Sequence, residues 1–218
     1  MKLVETNLIH CGDANKLLKK SNIFPNNSID LIITSPPYAD KRGNNYPTIK
    51  ESEYVDWFIE ISFELFRILK PRGSFILNIK EGIKNTERKT YVLELILALK
   101  KQGWYWLEEY HWCKNNSFPG SWKTHFRDGW ERCLHFSKQK DIKIYKDNVK
   151  IPIGIWSKKR FNGKPYLHDE AKHFSNTKSG FSRKVSNWKG KRLVYPDNVL
   201  NFATESHNRD HSAAFPKA

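Results

Sequence analysis

Apolar residues recur along this chain with two periods, and the alternation between them predicts strands separated by helices. Ile29, Leu31, Ile32 and Ile33 form a nearly continuous, mostly β-branched run that stops at Thr34 and Ser35, the pattern of a strand buried on both faces. Tyr54, Trp57, Phe58, Ile61, Leu65 and Ile68 then fall at three- and four-residue spacing, which predicts an amphipathic helix over 51–69. Lys70-Pro71-Arg72-Gly73 is expected to stop that helix, and Ser74 to Ile79 reads as the next buried strand. Val92, Leu95, Ile96 and Leu99 line a second helix over 89–102 that Gly103 closes, and 104–112 alternates as a strand. A short strand at 7–10, a helix at 14–20 and a strand-bearing segment at 128–138 complete the pattern. Strand and helix alternating in this way predict an α/β fold, a parallel sheet flanked by helices on both faces.

The texture changes in the second half. Residues 139–200 have little periodicity and many Lys, Arg, Asn, Ser and Gly, yet they carry Trp156, Phe161, Tyr166, Phe174, Phe181, Trp188 and Tyr195. So many rings are a poor match to disorder and predict an irregular ordered region. Charge divides at the same place. The whole chain of 218 residues has net charge +15, but residues 1–113 hold 16 Lys and Arg against 14 Asp and Glu, whereas 114–218 hold 22 against 9. A one-sided basic excess interleaved with aromatics suits a surface that follows a phosphate backbone. Lys158, Lys159, Arg160, Arg183, Lys184, Lys191 and Arg192 are the residues assigned to that surface.

Other classes recede. A chain of this length builds one substantial core with an added module, it has no run of 18 apolar residues to cross a membrane, and its first residues lack the apolar core of a signal peptide. A cytoplasmic, DNA-associated location follows as the expectation. Cys11, Cys113 and Cys133 are widely spaced, so neither a disulfide framework nor a metal site is expected. No Pro-Cys dipeptide supplies a thiolate for attack on a base ring, and the His-x-Glu, Pro-Cys-x-x-Cys pattern of zinc deaminases is missing.

The chemistry concentrates in Thr34-Ser35-Pro36-Pro37-Tyr38. Each proline fixes φ near −65° and removes a backbone donor, so the strand ends in a stiff loop that carries an aromatic ring. By itself this is a proline-stiffened turn after a core strand. In context it resembles the catalytic motif of the DNA amino-methyltransferases, which move a methyl group from S-adenosylmethionine to an exocyclic base nitrogen. Ser at the first position looks most like the N4-cytosine branch, while the N6-adenine branch more often has Asp or Asn there. The helix, the Lys-Pro-x-Gly turn and the strand that follow resemble the same family, and 128–138 is similar to its segment lining the target-base pocket.

The resemblance implies a Rossmann-like methyltransferase sheet with 1–138 as the catalytic region, 139–200 as the target-recognition region and 201–218 as a return segment toward a cofactor-binding half. It implies roles for Ser35 and Pro36 as acceptors of the amine hydrogens, with Pro37 stiffening the loop and Tyr38 stacking on a base flipped out of double-stranded DNA. Thr34 and Asp13 would face the cofactor; Asp13, after Gly12, is equally suited to cap the helix that follows it. Trp122 and Trp130 are candidates for base stacking or for local packing. The family's glycine-rich Phe-x-Gly-x-Gly loop, which cradles the methionine part of the cofactor, has no counterpart. A second polypeptide supplying that half is therefore the expectation, or else a truncated chain that is inactive alone, with a DNA-binding subunit that is catalytically incomplete as a further alternative. In that case the flank of the Ile29 to Thr34 strand would lie uncovered.

Overall fold

The computed structural model describes residues 6–40, 48–117, 120, 123–154 and 190–204. Two compact units are formed, one by Met1–Lys143 with Asn198–Ala218 and the other by Ile144–Asp197. The first contains, in order, α1 (Ala14–Leu18), β1 (Ile29–Thr34), α2 (Glu51–Ile68), β2 (Leu69–Ile79), the small hairpin β3 (Ile83–Lys84) and β4 (Glu87–Arg88), α3 (Tyr91–Gln102), β5 (Tyr105–Cys113) and β6 (Trp130–Ser137). In the second, β7 (Ile151–Pro152) pairs with β8 (Leu193–Val194), and the chain returns to the first as β9 (Val199–Asn201).

The main sheet has the order β1-β2-β6-β5-β9. It is mixed, not parallel throughout as the alternating pattern predicts. β1 runs parallel to β2 and β5 parallel to β9, but β6 lies antiparallel between β2 and β5. The mixed order follows from the path of the chain. β5 leaves α3 at a distance from β2, and the chain then turns back through 114–129 to fill the gap between them with β6.

One face of the sheet is the core. Phe75, Leu77 and Ile79 of β2 are fully buried and alternate as a strand requires; Phe75 and Leu77 stand opposite Phe136 and Leu134 of β6. α2 brings Tyr54, Phe58 and Leu65 onto this face and α3 brings Tyr91, Val92, Leu95 and Leu99, all in one cluster with the strand residues. Trp104, just past Gly103, wedges between the layers with ring centroids 4.9 Å from Phe66 and 5.1 Å from Phe75. Gly103 reaches this turn through φ 115°, a conformation that suits glycine as the helix ends.

The expectation of helices on both faces is refined accordingly: among the described residues the two long helices lie on the same face. The other face carries Leu31 and Ile33, which are 52% and 65% exposed. Among the described residues β1 is an edge strand, with one face buried through Ile32, instead of the doubly buried strand that its composition predicts. Residues 7–10 form no strand, and Cys11 is exposed.

The predicted stop after α2 takes an unusual form. The helix ends at Ile68 and β2 begins at once, so Leu69 pairs with Ile29, and the register then shifts until Leu31 meets Ser74. The extra residues make a bulge that Lys70 ties to Asp30 at 2.7 Å. At Gly73 a β-carbon would lie 2.8 Å from the Asp30 carbonyl oxygen, so only glycine lets the two strands approach here.

Candidate active site

β1, β2 and β5 point the same way and β6 opposes them, so four chain segments converge on one rim of the sheet. They are the loop after Thr34, the end of β2 at Asn78 to Lys80, the end of β5 at Trp112 to Lys114, and the start of β6 at Trp130 and Glu131. Carboxyl ends of strands are where an open α/β sheet places its ligands.

Ser35-Pro36-Pro37-Tyr38 leaves β1 and is pinned at two points. The Pro37 carbonyl accepts a hydrogen bond from the Tyr54 hydroxyl of α2 at 2.9 Å. The Tyr38 hydroxyl donates to Glu131 Oε2 at 2.6 Å and lies 3.4 Å from Asn78 Oδ1. Beyond the loop, the Asp40 amide donates to the Ile49 carbonyl at 3.0 Å, and Lys89 bridges the Asp40 and Glu51 carboxylates. The loop is therefore held by α2, β2 and β6 together.

The electrostatics follow from that packing. Burial, and then the negative charge of Glu131, push the Tyr38 phenol far above its usual range, so it stays a neutral donor at physiological pH. Burial would also raise Glu131, but the hydrogen bonds from Lys114 and Tyr38 outweigh it and hold the carboxyl below the usual glutamate range. Lys114 Nζ pairs with Glu131 Oε1 and sits 5.0 Å from the centre of the Trp112 ring. Asn78 donates through Nδ2 to the Arg132 carbonyl at 3.1 Å, which turns its Oδ1 toward Tyr38.

Of the residues singled out in the sequence, Thr34, Ser35, Pro36, Pro37 and Tyr38 form one continuous segment on this rim. Asp13 caps α1, its Oδ1 accepting from the Asn15 amide at 2.8 Å. Trp130 is engaged within the chain, with Lys80 Nζ 4.8 Å and Arg132 Cζ 5.0 Å from its ring centre and His111 edge-on at 5.1 Å. Trp122, Lys158, Lys159, Arg160, Arg183 and Lys184 lie outside the described residues. Lys191 and Arg192 are exposed in the second unit, where the Arg192 carbonyl accepts from the Ile153 amide at 2.9 Å. No group of three or more His, Cys, Asp or Glu fit to hold a metal occurs among the described residues, and no helix there is long and apolar enough to cross a membrane.

Sequence reasoning missed Glu131, Lys114, Asn78 and Tyr54. Only Glu131 carried a signal, and a weak one: an acidic residue at the start of a strand that runs on into Leu134 and Phe136 needs a partner where it is half-buried, and the adjacent Arg132 hides that need.

Residues 29–218 match the N6_N4_Mtase family, described as DNA methylase. The chain belongs to this family. It is 29% identical over 192 residues to the type II methyltransferase M.PvuII of Proteus hauseri, covering 79% of this chain and 56% of that protein. Identity is 34% over 139 residues to the type II methyltransferase M.MwoI of Methanothermobacter wolfeii, covering 58% and 21%. It is 40% over 81 residues to the DNA adenine methyltransferase YhdJ of Escherichia coli strain K12, covering 35% and 26%. The fold is similar to that of the PvuII DNA methyltransferase (cytosine-N4-specific), with TM-score 0.66 at 21% identity over 98% of this chain and 67% of that one. The chain of this family member thus spans about half the length of the curated relatives it matches, or less.

The Tyr38 ring at the rim and the apolar open face of β1 suit a cationic methyl donor, while the Glu131 carboxylate is already taken up by Tyr38 and Lys114. Asp13 is exposed, and its cap engages Oδ1.

Proposed function

We propose that the protein is an S-adenosylmethionine-dependent DNA methyltransferase, of restriction-modification type, that methylates N4 of cytosine. The observation that carries this reading is the Ser35 to Tyr38 loop, held at a strand's carboxyl end by Tyr54 and Glu131, in a chain of the DNA methylase family. Bound S-adenosylmethionine would supply a methyl group on a positively charged sulfur. Thr34 and Asp13 are the residues proposed to hold it, Asp13 through a carboxylate suited to a ribose hydroxyl.

An exocyclic cytosine amine is a poor nucleophile because its lone pair is delocalised into the ring. The Ser35 hydroxyl and the Pro36 carbonyl accept its two hydrogens and draw the nitrogen toward tetrahedral geometry, which frees the lone pair. The Tyr38 ring stacks on the base, which has left the duplex. Lys158, Lys159, Arg160, Arg183, Lys184, Lys191 and Arg192 follow the phosphates. Residues 1–138 act as the catalytic region, 139–200 as the recognition region and 201–218 as the return segment, in a protein that works on DNA in the cytoplasm.

Methylation of N6 of adenine is the second reading, because that amine presents the same geometry to the same loop and one relative is by name a DNA adenine methyltransferase. Chromatography of nucleosides from DNA methylated in vitro decides between them. N4-methylcytosine is the expected product; N6-methyladenine alone would overturn the cytosine assignment.

A second polypeptide carrying the glycine-rich cofactor loop is proposed to complete the site. What supports it is β1, an edge strand among the described residues with Leu31 and Ile33 open to solvent. Calorimetry with S-adenosylmethionine tests the point: tight binding by the 218-residue chain alone would sink it.

The charge asymmetry makes its own prediction. DNA affinity falls steeply with salt, with a logarithmic slope of about −0.9 per neutralised phosphate and several units in total. Neutralising Lys158, Lys159 and Arg160 together weakens binding on all sequences alike and flattens that slope by about three units. A slope near zero in gel-shift titrations would assign the basic region to solubility instead.

A further inference from the structure

The contact between Tyr38 and Glu131 joins residues 93 positions apart, and both oxygens of the carboxylate are used. Oε2 accepts from the Tyr38 hydroxyl at 2.6 Å, and Oε1 pairs with Lys114. Two partners on two oxygens leave the carboxylate no freedom to turn. Lys114 is placed in its turn by the Trp112 ring. Asn78 closes the other side, its orientation set by the Arg132 carbonyl.

Half-burying such a pair is a poor source of stability, because the cost of removing the charges from water offsets much of their attraction. What it does provide is geometry. The Tyr38 backbone follows Pro37, whose carbonyl is held by Tyr54, and the far end of the ring is held by Glu131. A ring fixed at both ends keeps its face in one place before any base arrives, so the ordering is complete in the free protein.

We propose that Glu131, clamped by Lys114, is a positioning residue that fixes the Tyr38 ring as the platform for the extruded base. This rests on the reading of Ser35 to Tyr38 as the methyl-transfer loop. Glu131 acts through Tyr38 and touches neither base nor methyl donor.

The test labels the whole chain with 3-fluorotyrosine and assigns the Tyr38 fluorine signal by its loss in Tyr38→Phe. In Glu131→Gln, which keeps the shape and removes the charge, the Tyr38 signal shifts and narrows as the ring gains freedom, while the other tyrosine signals stay in place. Lys114→Met gives the same change in smaller measure, and it serves if Glu131→Gln fails to fold by circular dichroism. Glu131→Asp restores part of the parent signal. In methyl transfer, Glu131→Gln lowers kcat about tenfold with little change in KM for S-adenosylmethionine. Adding it to Tyr38→Phe costs less than about twofold more, because both act on one hydrogen bond. An unmoved Tyr38 signal in folded Glu131→Gln, or losses that multiply in the double variant, would overturn the proposal. If the parent transfers no methyl group even with the completing polypeptide supplied, the proposed function falls, while the fluorine signal still decides whether Glu131 holds the ring.

Discussion

Alanine at Ser35, or at Tyr38, lowers the rate of methyl transfer by about 10²-fold or more while leaving DNA affinity within about twofold. The reason lies in when each interaction is made. In the proposed mechanism the Ser35 hydroxyl gains most as the amine nitrogen becomes tetrahedral, so its loss is expected to fall on the transition state and appear in kcat. A factor of 10² is about 2.7 kcal/mol, the scale of one well-placed acceptor in a water-excluded site. The Tyr38 ring is proposed to act through placement, and its loss would leave the extruded base free to swing. Affinity is expected to hold because it comes mainly from phosphate contacts made elsewhere. Single-turnover methylation beside gel-shift titration of the same variants checks the split. Parent rates in both variants would show that this loop is not the site of chemistry.

The largest effect on stability is expected at Trp104. It is 2% exposed, its ring packs against Phe66, Phe75 and Phe136, and its Nε1 donates to the buried Ser62 Oγ at 2.8 Å. Ser62 in turn donates to Gln102 Oε1 at 2.7 Å, so one indole joins α2, α3 and the sheet. Trp104→Ala removes that ring from between two layers and strips Ser62 of a donor, a loss of about 3–5 kcal/mol. Against a typical domain stability of about 5–15 kcal/mol, the variant is left marginal or unfolded. Urea titration followed by circular dichroism measures it. A shift below about 1 kcal/mol would mean that the helices and sheet close over the gap without cost. Trp104→Phe, which keeps much of the volume and loses the N–H, falls between the two.

Much of this protein follows from local pattern. The three- and four-residue spacing of Tyr54 to Ile68 specifies α2 to within a residue, and Val92 to Leu99 with Gly103 specifies α3. The β-branched run at Ile29 to Ile33 marks β1, and Ser35-Pro36-Pro37-Tyr38 marks the candidate site, because proline stiffness and side-chain chemistry are properties of the residues themselves. Those same residues carry the resemblance to the DNA methylase family to which the chain belongs. Strand partners, by contrast, are set by packing between segments far apart in the chain, which no local pattern specifies. The antiparallel β6, the shift in register around Gly73 and the exposed edge of β1 were therefore decided only by the tertiary structure. Glu131 is the sharpest case. Nothing in the residues around it names Tyr38 as its partner, since a buried carboxylate needs some donor and the sequence cannot say which one, 93 positions away, the fold will bring within 2.6 Å.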